Sequence, residues 1–321
     1  MQHPNDVDPS SAARGGAPPA KFESVFRDRL FVNKSAIVTG GGTGIGRCVA
    51  HELAALGADV VLWGRRTEPL ERTVGEIVDD GGSATYVTGD IRVSEDVEAA
   101  VAKVIERCGR IDLLVNNAGG QFSAHAVDIS ANGFDAVVRN NLLGGFVVAK
   151  ECYLSSMQEH GGAIVNITAD HSRGIPLMAH SSAARAGMAN LTRTLAVEWA
   201  SSGVRVNAVA PGFVASSGYD TYAGEPFHER LVELPRLTLA QRHGTESEVS
   251  AAVVFLLSDA AAYITGQEIA VTGGSDLVNG LLEVEPHDRL PPFSGFHRSS
   301  LPTALGGGDS RPRRLVGGSG A

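Results

Sequence analysis

Cysteine is scarce in this sequence of 321 residues, and the few that occur have no regular spacing. Cys48, Cys108 and Cys152 are odd in number, lie far apart and fall on helical patterns. Zinc sites and disulfide-bonded scaffolds both need cysteines, or cysteines and histidines, at characteristic spacings, and the histidines here are dispersed as well. We therefore predict no metal site, and we interpret the cysteines as reduced core residues of a cytosolic protein.

An excess of basic residues is also missing, as is any long hydrophobic run. The formal net charge is −9, whereas binding to nucleic acids or anionic membranes requires a basic surface. No apolar stretch approaches the roughly 18 residues of a transmembrane helix. Residues 1–16 carry acidic side chains and no apolar segment, so neither a secretory nor a transit peptide is expected. The sequence predicts a cytoplasmic protein with neither a nucleic-acid nor a membrane partner.

The rest of the composition is that of an ordinary globular protein with two atypical ends. Apolar residues make up 43% and charged residues 20% of the chain, which is enough to bury one large core. Residues 1–20 are rich in Pro, Gly, Ser and Asp and are predicted to be disordered. Residues 283–321 are rich in Pro and Gly and are predicted to be extended or disordered, although residues 283–293 could pack on a neighbouring subunit. We expect one domain over residues 21–282.

The most informative stretch runs from Ser35 to Gly46, with the sequence SAIVTGGGTGIG. Residues 36–38 form a short apolar run typical of a buried parallel strand, glycines follow, and a helical pattern begins at Arg47. A strand, a glycine turn and a helix bind a dinucleotide pyrophosphate, because the turn lets the backbone approach the phosphates and the helix offers free N–H groups. A tight turn without a ligand is the alternative, but the flanking strand and helix favour nucleotide binding.

Strands and helices alternate along the rest of the chain. Short strand patterns occur at residues 36–38, 59–63, 84–88, 112–116, 163–168, 204–209 and 268–271, with helical patterns between them. Thr67 and Ser94 are predicted helix N-caps, and residues 245–248 form a capping box. Seven strands joined by helical crossovers predict an α/β protein with a single doubly wound parallel sheet of the Rossmann type. The pattern breaks at Ser216–Leu237, where a small substrate-covering lid is expected.

Three motifs at these positions resemble the short-chain dehydrogenase/reductase family: residues 39–46, Asn116–Gly119, and Pro211–Gly212. The resemblance covers roughly residues 30–280. The stretches VNNAGGQF, EHGGAIVNI and YITGQ are similar to the branch that contains peroxisomal trans-2-enoyl-CoA reductase and, at greater distance, to 2,4-dienoyl-CoA reductases. The resemblance implies an NAD(P)-dependent oxidoreductase that acts on an acyl-CoA thioester and forms a homotetramer or homodimer.

The sequence departs from this family at its catalytic motif. Most members carry Tyr-x-x-x-Lys at the start of the sixth helix, where Tyr exchanges a proton and Lys holds the ribose. Here Ser181 and Arg185 stand at those positions, and a register eight residues later gives Ala189 and Arg193. Serine is a far weaker acid than a phenol, and Arg does not release its proton at neutral pH. The sequence therefore disfavours ordinary reduction of ketones and oxidation of alcohols.

Reduction of a double bond conjugated to a thioester is less demanding, because negative charge develops on the thioester oxygen and hydrogen-bond donors can stabilise it. We predict Ser181 and Asn141 as such donors and Arg185 as the ribose ligand. Ser181 could instead be only a helix cap, and Asn141 only a polar residue inside a helix. Asp170, next to His171, is a candidate acid. The arrangement resembles that of mitochondrial-type 2,4-dienoyl-CoA reductases, which place a proton donor near this position. The alternative is that Asp170 is simply solvated. His180 is interpreted as a structural or pocket-lining residue.

The residues after the second strand indicate which dinucleotide binds. NAD-selective sheets carry an acid there, but this chain has Trp63-Gly64-Arg65-Arg66, with Arg47 after the last glycine. Guanidinium groups suit a 2′-phosphate, so NADP(H) is predicted, although a solvated basic turn is the alternative. The predicted cofactor-binding residues, most by family resemblance, are Gly40, Gly42, Thr43, Gly44, Ile45, Gly46, Arg47, Arg65, Arg66, Asp90, Ile91, Asn117, Ala118, Gly119, Arg185, Pro211, Gly212, Val214 and Ser216.

Three functions are compatible with these features. The first is NADPH-dependent reduction of a trans-2-enoyl-CoA or 2,4-dienoyl-CoA thioester in lipid metabolism. The second is a dehydrogenase of a hydroxyacyl thioester or terpenoid alcohol that uses an unseen proton relay. The third is a catalytically silent dinucleotide-binding subunit, which the missing Tyr and Lys would explain.

Overall fold

Seven parallel strands form one sheet in the order β3-β2-β1-β4-β5-β6-β7. The computed structural model describes residues 21–222, 224–278, 285 and 287–307. The strands are β1 Ser35–Thr39, β2 Asp59–Gly64, β3 Ser83–Thr88, β4 Leu113–Asn116, β5 Gly162–Ile167, β6 Val204–Pro211 and β7 Glu268–Val271. The register pairs Ala36 with Val60 on one side and with Leu113 on the other. The predicted doubly wound sheet is confirmed, with strand ends within a few residues of those expected.

Helices cover both faces of this sheet. They are α1 Gly44–Ala55, α2 Thr67–Asp79, α3 Ser94–Cys108, α4 Ala131–Val138, α5 Gly144–Cys152, α6 Gln158–His160, α7 Ala179–Trp199 and α8 Glu246–Leu257. One core lies under α1, α2 and α8 and includes Ala36 and Val38, while the other lies under α3, α5 and α7 and includes Ile37. Successive residues of a strand point to opposite faces, so a strand buried on both faces must be apolar throughout.

The chain between β4 and β5 is helical from Ala131 to His160, where the sequence shows a helical pattern, but two π-helical turns interrupt it. The first spans Arg139–Leu143 and joins α4 to α5. Asn141 lies in this turn and is buried. π-Turns inside α-helices are rare and frequently occur at functional sites. Asn141 is therefore a polar residue inside a helical segment, as the alternative has it, but the π-turn favours the predicted functional role.

Helix starts were predicted with mixed success. The capping box of α8 is confirmed: the Thr245 hydroxyl accepts a bond from the Glu248 amide at 3.2 Å, and the Glu248 carboxylate accepts one from the Thr245 amide at 2.9 Å. Thr67 and Ser94 are each the first helical residue, one position after the N-cap, and neither helix has a side-chain cap. Those two predicted N-caps are wrong by one residue.

Residues 287–307, which we name the C-terminal strap, lie against α1, α2 and α8 of their own chain. The Phe296 ring contacts Phe22 and His51, with ring centroids 5.8 and 4.9 Å apart. Arg298 forms an ion pair with Asp80 at 2.6 Å, and the Thr245 hydroxyl donates to the Phe293 carbonyl at 2.5 Å. The remainder of the predicted C-terminal tail and all of residues 1–20 lie outside the described residues. In the part of the chain that is described, no helix is long and apolar enough to cross a membrane.

Replacing Thr245 tests the capping box. Thr245→Ala removes one side-chain bond to the start of α8 and one to the strap, and we expect it to lower the free energy of unfolding by about 1–2 kcal/mol. Thr194→Ala is the matched control, because Thr194 is exposed within α7 and its hydroxyl makes only a long 3.4 Å bond to the Asn190 carbonyl. Urea unfolding measures both, and equal stabilities for the two variants would contradict this role of the cap.

Candidate active site

The glycine turn between β1 and α1 is closely packed against its surroundings. Gly40 and Gly44 have φ angles of +66° and +55°, which only glycine adopts easily. A Cβ atom on Gly46 would lie 2.4 Å from the Gly40 carbonyl oxygen. The glycines at these positions therefore allow both the conformation of the turn and the close approach of α1 to it.

The amide groups of residues 41–46 point to what this turn binds. Within the described residues none of them donates to a protein acceptor, and Thr43, the N-cap of α1, makes no side-chain cap. Free N–H groups and the positive end of the helix dipole together attract a phosphate. The turn therefore fits the pyrophosphate of a dinucleotide, as the sequence predicted.

The loop after β4 holds the turn in place. The Thr39 hydroxyl accepts bonds from the amides of Asn117 and Ala118 at 3.0 and 2.9 Å. The Asn117 side-chain amide donates to the carbonyls of Thr39 and Gly40 at 2.9 and 3.3 Å. The Asn117 side chain thus connects the loop to the phosphate-binding turn.

The basic residues expected at a 2′-phosphate fall into two groups. Arg65 and Arg66 follow β2, are exposed, and form no ion pair with any described residue. Arg47 instead forms an ion pair with Glu76 at 2.8 Å, lies 5.0 Å from the centre of the Phe296 ring, and donates to the Arg298 carbonyl. Two guanidinium groups are therefore free for a phosphate, whereas that of Arg47 already has protein partners.

The other predicted cofactor contacts flank the turn. The Asp90 carboxylate pairs with Arg92 at 2.5 Å, and this hydrogen bond lowers the pKa of Asp90 to about 2. Ile91 is buried beside Gly144. On the opposite side Pro211 ends β6 and Gly212 follows it. Val214 then pairs with Gly244, and Ser216 lies beside Gly44 of the phosphate-binding turn.

Arg185 and Asn141 meet at the centre of the site. Arg185 is 8% exposed and donates to the Ile167 carbonyl at 2.5 Å and to the Asn141 Oδ1 atom at 3.3 Å. Burial lowers the pKa of Arg185 to about 10, which leaves the side chain charged at neutral pH. Asn141 also accepts from the Gly120 amide at 2.9 Å and donates to the Gly120 carbonyl at 3.0 Å. A Cβ atom on Gly119 would lie 2.4 Å from the Arg185 guanidinium, so a larger residue here would displace that group.

Ser181 is the third residue of α7 and is 3% exposed. The N-cap of α7 is Met178, so the alternative that Ser181 is only a cap is wrong. No described residue forms a hydrogen bond with the Ser181 hydroxyl, while its amide donates to His180 Nδ1 at 2.7 Å. The His180 ring is fully buried, lies edge-on to Phe122 with centroids 4.4 Å apart, and has a pKa lowered by burial. The structural interpretation of His180 is consistent with these contacts.

Asp170 and His171 belong to a separate group of polar side chains. The Asp170 carboxylate accepts from the hydroxyls of Ser275 at 2.6 Å and Ser172 at 3.1 Å. His171 lies 3.2 Å from the Glu268 carboxylate, which also accepts from the Thr168 hydroxyl. Among the described residues no hydrogen bond connects Asp170 to Ser181, Asn141 or Arg185. These contacts support a structural role for Asp170 rather than a direct part in proton transfer.

Two residues at the site were not singled out from the sequence. Tyr222 comes from the predicted lid and is buried, and its hydroxyl accepts a bond from the Gln121 side chain at 2.5 Å. Glu246, the first residue of α8, is 6% exposed, and its Oε1 atom would lie 3.9 Å from a Cβ atom on Gly44. Neither residue belongs to a catalytic motif in the sequence. Tyr222 falls within the predicted lid and Glu246 within the predicted capping box, and these patterns alone indicated their locations.

The fold and this site define an α/β protein of the Rossmann type that binds a dinucleotide at the carboxyl ends of its strands. A family model described as "Enoyl-(Acyl carrier protein) reductase" matches residues 40–276. A peroxisomal 2,4-dienoyl-CoA reductase of Danio rerio is 36% identical over 81% of this chain and 87% of its own length. A 3-oxoacyl-acyl-carrier-protein reductase of a Synechocystis species is 38% identical over 74% of this chain and 95% of its own.

Among solved structures, a citronellol catabolism dehydrogenase of Pseudomonas aeruginosa is 52% identical, with a TM-score of 0.70 over 79% of this chain and 99% of that one. Levodione reductase is 31% identical with a TM-score of 0.74, over 78% of this chain and 100% of that one. The chain belongs to the short-chain dehydrogenase/reductase family. It is accordingly an oxidoreductase, and the family uses nicotinamide dinucleotides.

Glu246 provides a test based on pH. Burial raises the pKa of Glu246 to about 7, partly offset by Arg47. Because the folded pKa exceeds the unfolded value of about 4.5, this carboxyl favours folding below pH 4.5, and that contribution is lost as the pH rises through about 7. We expect Glu246→Gln to stabilise the protein at pH 8, by up to about 3 kcal/mol, and to leave its stability unchanged at pH 4.5.

The measurement is chemical unfolding of the wild type and the variant across this pH range. Glu98→Gln, on the exposed side of α3, is the control and should show no pH-dependent difference. A constant difference between wild type and Glu246→Gln at all pH values would show that the carboxyl is not titrating near pH 7.

Proposed function

We propose that this protein uses NADPH to reduce the conjugated double bond of a trans-2-enoyl-CoA or 2,4-dienoyl-CoA thioester. The observation that supports this most directly is the pair Ser181 and Arg185, which stands where the family normally has Tyr and Lys. A buried fixed cation stabilises negative charge but does not exchange a proton at neutral pH. That property suits a reaction in which charge develops on a thioester oxygen.

The chain's own residues contribute charge, hydrogen bonds and orientation. The reduced nicotinamide, when bound, supplies a hydride to the β-carbon of a 2-enoyl thioester. The Asn141 amide uses one of its two hydrogens in the bond to the Gly120 carbonyl, so it is proposed both to position this loop and to act as a donor together with the Ser181 hydroxyl. The Arg185 guanidinium is proposed to hold the nicotinamide ribose and to add positive potential at the thioester oxygen. One such donor typically contributes roughly 3 kcal/mol of transition-state stabilisation.

NADPH is the proposed reductant because of Arg65 and Arg66. Both guanidinium groups follow β2, where an NAD-binding chain would have an acid, and neither has an ion-pair partner in the described part of the chain. Charge-assisted hydrogen bonds from Arg to a phosphate are among the stronger polar interactions in proteins.

The substrate class is supported by relatives. The Danio rerio protein is named a 2,4-dienoyl-CoA reductase, and the family model is described as an enoyl-acyl-carrier-protein reductase. Several such relatives are named peroxisomal, whereas we propose a cytoplasmic protein. We also propose a homotetramer or homodimer, because Leu154 in the second π-turn and Val197 in α7 expose large apolar side chains.

A second candidate is the oxidation of a terpenoid alcohol. It is favoured by the 52% identity to the citronellol catabolism dehydrogenase, which is higher than the identity to the reductases named above. Alcohol oxidation requires a group that accepts the hydroxyl proton, and Ser181 is poorly suited to that role.

The two functions are separated by direct assay. We expect NADPH to be consumed with medium-chain trans-2-enoyl-CoA or 2,4-dienoyl-CoA, and not with a 3-oxoacyl-CoA of equal chain length. Production of NADPH from NADP⁺ and citronellol, with no reduction of the unsaturated thioesters, would favour the second candidate. Tight NADPH binding without turnover of any of these substrates would instead indicate a catalytically silent subunit.

Cofactor selectivity has its own test. We expect the double variant Arg65→Ala/Arg66→Ala to raise the Kd for NADPH at least tenfold and to leave the Kd for NADH within twofold, because only NADPH carries the 2′-phosphate. Arg72→Ala is the control, since Arg72 is exposed in α2 and leaves the arginine pair intact. Fluorescence titration measures these constants, and equal weakening for both dinucleotides would contradict the assignment.

A further inference from the structure

The predicted lid contributes a buried phenol to the apolar cluster at the start of α7, the helix that carries Ser181 in place of the family's catalytic tyrosine. Tyr222 ends a short 3-10 helix, Ser217–Tyr222, and is 6% exposed. Its ring belongs to an apolar cluster with Met178, the N-cap of α7. Ser181 follows Met178 by three residues, so the lid lies over the start of the helix that carries Ser181.

A chain of contacts connects this phenol to the centre of the site. The Gln121 side-chain amide donates to the Tyr222 hydroxyl at 2.5 Å. The preceding residue, Gly120, is held by two hydrogen bonds to Asn141, which in turn accepts a bond from Arg185. The lid is fixed to the same loop a second time, because the Ser123 amide donates to the Glu225 carboxylate at 2.7 Å.

The proton of the Tyr222 hydroxyl is not used in these contacts. Its oxygen accepts the bond from Gln121, and no described residue accepts a bond from it. A buried hydroxyl normally donates to a partner. Tyr219, in the same 3-10 helix, shows the contrast, because its hydroxyl lies 3.3 Å from His243 Nδ1.

We propose that Tyr222 is the general acid of this enzyme. Its phenol, in the lid, donates the proton that Ser181, at the position of the family's tyrosine in α7, is too weak an acid to donate. The proposal rests on the reduction of an unsaturated thioester proposed above. After hydride addition to the β-carbon, the electron pair of the double bond lies on the thioester enolate. The enolate carbonyl re-forms, the α-carbon bonds to the Tyr222 proton, and the electron pair of the O–H bond stays on the phenolate oxygen. A proton from water then restores the phenol.

The charged groups around Tyr222 are consistent with this role. Burial raises the pKa of Tyr222 and the Glu225 carboxylate raises it further, whereas the bond from Gln121 and the charge of Arg185 lower it. The net shift is upward, so the phenol holds its proton at neutral pH and has it available to donate. The Gln121 amide and the Arg185 guanidinium stabilise the phenolate that forms after donation.

The experiment compares Tyr222→Phe with Tyr219→Phe, which removes the other buried hydroxyl of the same helix. We expect Tyr222→Phe to lower kcat for the enoyl thioester at least tenfold, with KM and the Kd for NADPH within twofold. Its solvent deuterium isotope effect on kcat should rise, because protonation becomes rate-limiting. Tyr219→Phe should stay within twofold of wild type. A Tyr222→Phe variant with kcat within twofold of wild type would overturn the proposal, whatever the effect of Ser181→Ala, because the Ser181 hydroxyl is also a proposed donor to the thioester oxygen.

A readout without turnover accompanies these rates. The ionisation of Tyr222 is followed by ultraviolet absorbance as the pH is raised, as the difference between a protein that has Tyr222 and the matching Tyr222→Phe variant. This pair is compared in the wild-type background and in the Arg185→Met background. We expect Tyr222 to ionise at higher pH in Arg185→Met, and an unchanged titration would overturn the placement of the phenol beside the cation. A wild type that reduces no unsaturated thioester would refute the proposed function itself, whereas an active wild type with an equally active Tyr222→Phe refutes only the role of Tyr222.

Discussion

The arrangement of the active site depends on burying the guanidinium of Arg185. An isolated charge is costly to remove from water, and in the described part of the chain this cation has no carboxylate partner. Its compensation comes from two oxygens, the Ile167 carbonyl at the end of β5 and the Asn141 side chain in the π-turn. The π-turn carries the Asn141 oxygen that accepts from this group, and the missing side chain at Gly119 leaves room for it.

The same cation changes the chemistry that the family fold supports. A lysine next to a tyrosine assists proton exchange, whereas an arginine next to a serine provides a fixed positive potential. Such a site is suited to stabilising an enolate and needs a proton from elsewhere. The lid meets that need, because its 3-10 helix places a buried phenol three hydrogen bonds away from the guanidinium, by way of the Gly120–Gln121 segment and Asn141.

The nucleotide half of the site is organised by a different constraint, which is the close approach of α1 to the glycine turn. The C-terminal strap packs on the outer side of α1, where Phe296 contacts Cys48. The Arg47 side chain lies over the Phe296 ring and forms an ion pair with Glu76. This explains why Arg47, adjacent in sequence to the last glycine, differs from Arg65 and Arg66. Proximity along the chain suggested a phosphate ligand, but a segment 250 residues away determines where that side chain lies.

Much of this protein was predictable from local sequence. Strand patterns three to six residues long, helical periodicity and one capping box predict the seven strands, most helices and the phosphate-binding turn, because backbone hydrogen bonding and burial are decided over short spans. The serine and arginine in place of Tyr and Lys are also visible in the sequence. The tertiary structure alone decided that Ser181 is not a cap, that Asn141 lies in a π-turn, that Asp170 pairs with Ser275, and that Tyr222 faces Gln121. These contacts join segments that are far apart in the chain, and only the packing of the sheet and the lid brings them within hydrogen-bond distance.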